Sequence, residues 1–189
     1  MRVLRAENYR EMPWKNGGGT TTEIFVSPTG AGLEDFDWRI SMARVTSGGP
    51  FSQFAGIDRT LAILEGEGII LNVGGRIPIG LTAASEPLPF PADAETHATL
   101  IGGAVTDLNV MTRRGKVSHS VERIEVSHPV EIEIGTGTTM VFCAEGEISV
   151  EAAGNVRLGP RDTLLVEPET ETLRIEPKQH ASVFLIRIF

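Results

Sequence analysis

Leu61-Ala62-Ile63-Leu64-Glu65-Gly66-Glu67-Gly68 has an echo 80 residues on, in Met140-Val141-Phe142-Cys143-Ala144-Glu145-Gly146-Glu147-Ile148. Both copies run from apolar β-type residues through an acidic residue to a glycine. Each then reaches a polar turn, Pro91-Ala92-Asp93 in the first and Gly159-Pro160-Arg161-Asp162 in the second. Each finally enters a further apolar strand, at 107–111 or 183–188. A strand, a glycine turn forming a hairpin, a second strand and a Pro/Gly-Asp turn close one half of a small barrel. Two copies in order predict two packed β-barrels. The glycine-to-aspartate distance is 27 residues in the first copy and 16 in the second. The first copy therefore carries an insertion, mostly within 74–87.

Outward from the repeat, the chain continues to read as strands. Val130, Ile132 and Ile134 alternate with Glu131 and Glu133, the period of a half-buried strand. Further strands are expected at 22–27, 38–45, 60–64, 68–73, 106–112, 121–126, 140–143, 147–151, 162–166, 173–175 and 182–188, with Gly, Pro, Asn or Asp in most gaps. Helix is limited to a single turn within 30–37. The fold class is all-β with little helix. A polar stretch at 114–120 places the domain boundary, giving 1–115 as an N-terminal barrel with a pocket and 116–189 as a C-terminal barrel. Strand exchange from the N-terminal segment into the second barrel is a further option.

The chain has 189 residues, 41% of them hydrophobic, and a net charge of −8. That is enough apolar surface for a core, and too acidic for a nucleic-acid or anionic-membrane partner, which needs a clustered positive face. No apolar run approaches the roughly 18 residues of a membrane span. Arg2, Arg5 and Glu7 stand where a secretory signal would place its apolar core. Cys143 is the single cysteine, which excludes an intramolecular disulfide and a thiolate zinc cage. A reducing, cytoplasmic setting is expected, with Cys143 a buried thiol.

Four groups of polar residues interrupt the apolar pattern. Lys15-Asn16-Gly17-Gly18-Gly19-Thr20 offers three flexible residues whose N–H groups, beside Lys15, form an anion-binding concavity. The alternative is a tight crossover against the chain's own sheet. On the strand 38–45, alternation puts Arg39, Ser41 and Ala43 on one face, either lining a site or facing solvent. Arg59 shares a face with Ile57, Leu61 and Ile63, and an unpaired guanidinium there is costly. It needs a protein carboxylate, with Glu23 or Asp107 as candidates, or an anionic ligand. Asp107, Asn109 and Met111 form one face of the strand that ends in Arg113-Arg114, a pair expected at the surface. His97, His119, His128 and His180 lie apart from one another and show neither metal-pair spacing nor a catalytic arrangement. No metal, cofactor or catalytic residue is assigned.

The repeat resembles the cupin conserved barrel. A cupin metal site would draw its ligands from positions around 52–54 and from the position of Arg59, and no histidine occurs there. A closer likeness is to the HutD/Ves family. It is carried by Met12-Pro13-Trp14-Lys15-Asn16-Gly17-Gly18-Gly19-Thr20-Thr21, Trp38-Arg39-Ile40-Ser41, Gly49-Pro50-Phe51-Ser52, Gly56-Ile57-Asp58-Arg59 and Asp107-Leu108-Asn109-Val110-Met111-Thr112-Arg113-Arg114-Gly115. These motifs are collinear over residues 10–115. The resemblance implies a bicupin and an accessory or regulatory association with bacterial histidine utilisation, with no assigned enzymatic activity.

Together these readings give a metal-free cupin that binds a small carboxylate and modulates histidine utilisation without catalysis. The ligand-binding residues are Arg59, Lys15, Asn16, Thr20, Arg39 and Asn109. The implied ligand is a small anionic metabolite such as urocanate or a formylated glutamate, and a second copy of the chain is a candidate partner. The alternatives are a metal-independent enzyme acting on a small acid, with Lys15 or Asp107 as general base, and a protein-interaction module.

Overall fold

The structure, a computed structural model, describes residues 1–152, 154–166 and 171–189. Contacts divide it into two compact units, Arg10–Ser118 and Met1–Tyr9 together with His119–Phe189. The division falls at 118/119, three residues beyond the boundary read from the polar stretch. The first nine residues belong to the other unit, because Arg2–Leu4 pairs antiparallel with Thr163–Val166.

In the unit Arg10–Ser118 a six-stranded sheet runs in the order Arg10–Pro13, Gly19–Ser27, Trp38–Val45, Val105–Arg113, Ile57–Glu65, Leu88–Pro91. A four-stranded sheet holds Gly49–Pro50, Thr96–Leu100, Ile69–Val73 and Ile79–Leu81. Leu61 and Ile63 of the first sheet pack with Ile69, Leu71, Leu81 and Ala98 of the second in one buried cluster. Leu88-Pro89-Phe90-Pro91 occupies an edge of the larger sheet, where prolines cost no ladder hydrogen bond.

The other unit repeats the plan. Its five-stranded sheet runs Arg2–Leu4, Thr163–Val166, Thr138–Glu145, Ala181–Ile188, His119–Val126. Its four-stranded sheet runs Val130–Glu133, Thr172–Pro177, Ile148–Glu151, Asn155–Leu158. Val141, Leu164, Val183 and Leu185 meet Ile148, Val150, Leu173 and Ile175 in its core, with Cys143 fully buried beside them. The Tyr9 hydroxyl closes against this unit, within 2.9 Å of Arg161 O and 2.8 Å of Thr163 Oγ1.

Two expectations are corrected. Among the described residues the sheets do not close into barrels; each unit is two sheets over a shared core. The glycine turns are not hairpins. Ile57–Glu65 and Ile69–Val73 lie in different sheets, as do Thr138–Glu145 and Ile148–Glu151, so Gly66 and Gly146 are corners at which the chain changes sheet. Both have positive φ, +95° and +81°. Each lies flat on the entry to the next long strand, Gly66 on Ala104 and Val105 and Gly146 on His180 and Ala181. A side chain has no room at either corner, so the glycines recur because of geometry. Residues 30–37 form turns; the one helical turn among the described residues is Ala6–Asn8.

Candidate functional site

One face of the six-stranded sheet is apolar at one end and polar at the other. Antiparallel register sets Asp107 opposite Ala43 and Ile63, Asn109 opposite Ser41 and Leu61, and Met111 opposite Arg39 and Arg59. Alternation turns all of these side chains to the same side. Leu61 and Ile63 seal the core, and Arg39, Ser41, Arg59, Asp107, Asn109 and Met111 line a cavity of about 570 Å³. Loops complete its wall with Trp14, Phe51 and Phe54.

The two arginines are both 5% exposed and differ in their partners. Arg39 Nε donates to Glu23 Oε2 at 2.8 Å. Among the described residues Arg59 makes no ion pair: its Nη2 approaches Ser52 O at 3.5 Å, the limit of a hydrogen bond, and its buried Nε has no partner. Its charge rests instead among rings, 5.3 Å from the centre of Phe51, 5.4 Å from Phe54 and 5.7 Å from Phe90. Burial pulls the Arg59 guanidinium down to about 10, against the opposing pull of Asp107. It remains cationic at neutral pH.

Asp107 is 1% exposed. Asn109 Nδ2 donates to its Oδ1 at 2.6 Å, and among the described residues its Oδ2 has no hydrogen-bond partner. Burial pushes this carboxyl up to about 7, although the Arg59 charge, the Asn109 amide and, least, the backbone N–H of Ala43 favour its ionised form.

A metal of the kind the cupin resemblance would place here does not fit. The equivalent positions carry a cation and aromatic rings, with no set of donor side chains around them. Among the described residues no three His, Cys, Asp or Glu side chains gather elsewhere.

The structure brings Arg59, Arg39, Asn109, Lys15 and Asn16 to the same cavity, the last two at its exposed rim. Thr20 does not line it; Thr21 does, and its Oγ1 accepts from Trp14 Nε1 at 2.7 Å. The cause is register, since Thr21 stands opposite the cavity-lining Ala43 and Thr20 opposite Arg44. Arg39 does not face solvent. The glycines form no anion-binding concavity: Gly17 N donates to Trp14 O and Gly18 N to Asn16 Oδ1, and Gly19 passes flat against Arg44 O and the Trp14 ring. The crossover alternative accounts for them. Arg113 and Arg114 lie outside the cavity; Arg113 holds the carbonyls of Phe36 and Glu34, and Arg114 the carboxylates of Asp58 and Asp93. Phe51 and Phe54 carry no site signal in the sequence, because they lie in a loop without periodicity. Glu23 as the partner of Arg39 does carry one, in its alternation with Thr21.

Comparison with known proteins agrees with this fold. A protein of Pseudomonas putida, an uncharacterized 21.2 kDa protein in the hutC 3′ region, is 33% identical over 178 residues, 93% of this chain and 92% of its own. A solved conserved protein of unknown function from Pseudomonas aeruginosa PAO1 superposes with a TM-score of 0.93 at 32% identity, covering 99% of this chain and 97% of that one. HutD from Pseudomonas fluorescens SBW25, solved in a formate condition, gives 0.79 at 31% identity, covering 100% and 98%. A cupin 2 conserved barrel protein from Leptotrichia buccalis gives 0.61 at 9% identity over 98% and 100%, a likeness of fold alone. The HutD family model matches residues 6–184. Motifs, all-β fold and match along nearly the whole length agree: the chain belongs to the HutD family and has a cupin-type fold.

Proposed function

We propose that the protein is a receptor for a small carboxylate and acts on histidine utilisation by binding its ligand rather than converting it. One observation carries this reading: Arg59 is a buried, cationic guanidinium without a carboxylate partner, on the wall of a cavity of about 570 Å³. A buried charge is uncomfortable alone and is relieved by an anion that meets its planar fork. The aromatic rings around it exclude water and strengthen a charge-assisted hydrogen bond. The HutD family match and the hutC-region relative support a carboxylate of histidine breakdown, urocanate or a formylated glutamate.

A second reading has its own support. Asp107, buried and pushed to about 7, is poised as a general base for a metal-independent reaction on a small acid.

A thermal-shift screen of small carboxylates, on the native protein and on Arg59→Ala, tests the receptor reading. A ligand at 100 times its Kd adds about 2.7 kcal/mol to the folded state. The expected result is a rise in Tm with at least one acid that disappears in the folded variant. A protein that no acid stabilises, or a hit that survives without Arg59, overturns it. Incubation of each hit for hours, with product analysis, separates the two readings, since sustained conversion assigns the site to an enzyme.

A further inference from the structure

The cavity that holds Arg59 also holds an acceptor with nothing to accept. Asp107 Oδ2 is buried and unpartnered, while Oδ1 is already taken by Asn109. A buried polar atom without a partner is rare and calls for an explanation. The register shows why Arg59 does not supply one. Arg59 stands opposite Met111, four positions along the strand from Asp107, about 13 Å between backbones. The guanidinium is held back among Phe51, Phe54 and Phe90, and the two charges make no ion pair. Both side chains line the same cavity, with Asn109 between them on the same face.

The cavity wall thus carries a cation at Arg59 and, four positions along the sheet, a carboxylate whose Oδ2 lies just beneath the surface without a donor. A simple monocarboxylate satisfies the first and leaves the second as it is. We propose that Asp107 Oδ2 is a second contact point of the pocket, and that the preferred ligand is an acid carrying an N–H or O–H donor remote from its carboxylate. The carboxylate lies at Arg59 and the donor reaches Asp107. The inference rests on the carboxylate-receptor reading and narrows its ligand class.

Paired acids that differ in one donor test it. 3-(Pyrrol-2-yl)acrylate and 3-(pyrrol-3-yl)acrylate carry a ring N–H, which the corresponding furylacrylates replace with oxygen. Titration calorimetry at pH 8, where Asp107 is ionised, measures all four. At least one pyrrole acid is expected to bind about tenfold more tightly than its furan counterpart. That advantage is expected to vanish in Asp107→Leu and to fall below about threefold in Asp107→Asn, which keeps the shape but loses the charge that strengthens the bond. Both acids are expected to lose binding in Arg59→Ala. Equal affinity of each pair for the native protein, or an advantage that survives both Asp107 variants, overturns the inference and leaves the carboxylate reading standing. Binding that is absent for all four acids, or independent of Arg59, overturns both.

Discussion

Arg39 and Arg59 stand on one face of the same sheet, both opposite Met111 across neighbouring ladders, and Glu23 neutralises only Arg39. Glu23 stands opposite Ser41, two residues from Arg39, next to an irregularity in the ladder between Glu23 and Phe25. No carboxylate on the neighbouring strands comes within ion-pair distance of Arg59. Of the two buried cations of the cavity, one is therefore already paired and one is held in reserve.

Glu23→Gln leaves Arg39 without its counter-charge. Because Glu23 is partly exposed, the expected loss is about 1–3 kcal/mol, below that for a fully buried pair. Urea unfolding would show a lower midpoint with an unchanged slope. The variant has two unpaired guanidinium groups at the cavity, so saturating acetate is expected to recover part of the loss. An unchanged midpoint would show that the pair adds nothing.

Asp107 makes stability depend on pH in a defined window. An exposed aspartate releases its proton near 3.8, and in the folded protein burial holds the proton to about 7. Between those values the folded state binds a proton that the unfolded chain has lost. Stability therefore falls as pH rises through the window and levels off above it. Asp107→Asn removes the dependence, so the variant gains on the native protein by up to a few kcal/mol between pH 4 and pH 8. Urea unfolding at the two pH values measures this, and a constant difference would exclude burial as the cause.

Gly66→Ala and Gly146→Ala test the corner geometry. Both backbones have positive φ, and a Cβ on Gly66 would meet Ala104 O at 2.6 Å. Each substitution is expected to cost on the order of 3 kcal/mol. Gly103→Ala, where an added Cβ meets nothing within 4 Å, is expected to be near neutral. Thermal unfolding of the three variants makes the comparison. Similar values for all three would mean that the corners relax.

Tyr9 is the chain's single tyrosine and reports on the docking of the first nine residues. Burial, with a smaller contribution from Asp162, pushes its hydroxyl up to about 12. Ultraviolet difference titration of the native protein is expected to show a midpoint near that value. Tyr9→Phe is expected to lose about 1–2 kcal/mol, as its hydroxyl meets Arg161 O and Thr163 Oγ1. A midpoint near 10 would show that this segment does not close on the sheet.

Strand content was legible because alternation and turn residues are local signals. The strands at 38–45 and 182–188, central in their sheets, were placed within a residue. The strands that escaped are short and mostly lie at sheet edges: Arg10–Pro13, Leu88–Pro91 and Asn155–Leu158 are only four residues each. Sheet membership was not legible, which is why Gly66 read as a hairpin and proved to be a corner. In the site, an arginine among Ile57, Leu61 and Ile63 was conspicuous, because a buried guanidinium demands a partner of some kind. Thr20 closes the glycine motif but misses the cavity, because the parity of the strand that follows turns Thr21 inward instead. Phe51 and Phe54 reach Arg59 through loop conformation, which no period encodes.

The pairing of Val3 with Leu164 spans 161 positions. During synthesis Arg2–Leu4 is made long before Thr163–Val166, while the strands of 10–118 pair within their own two sheets and are free to fold in the interval. Arg2–Leu4 finds its place only after Thr163–Val166 has been made. A chain cut after residue 118 therefore carries every strand of one unit, and Arg2–Leu4 without the strand it pairs with.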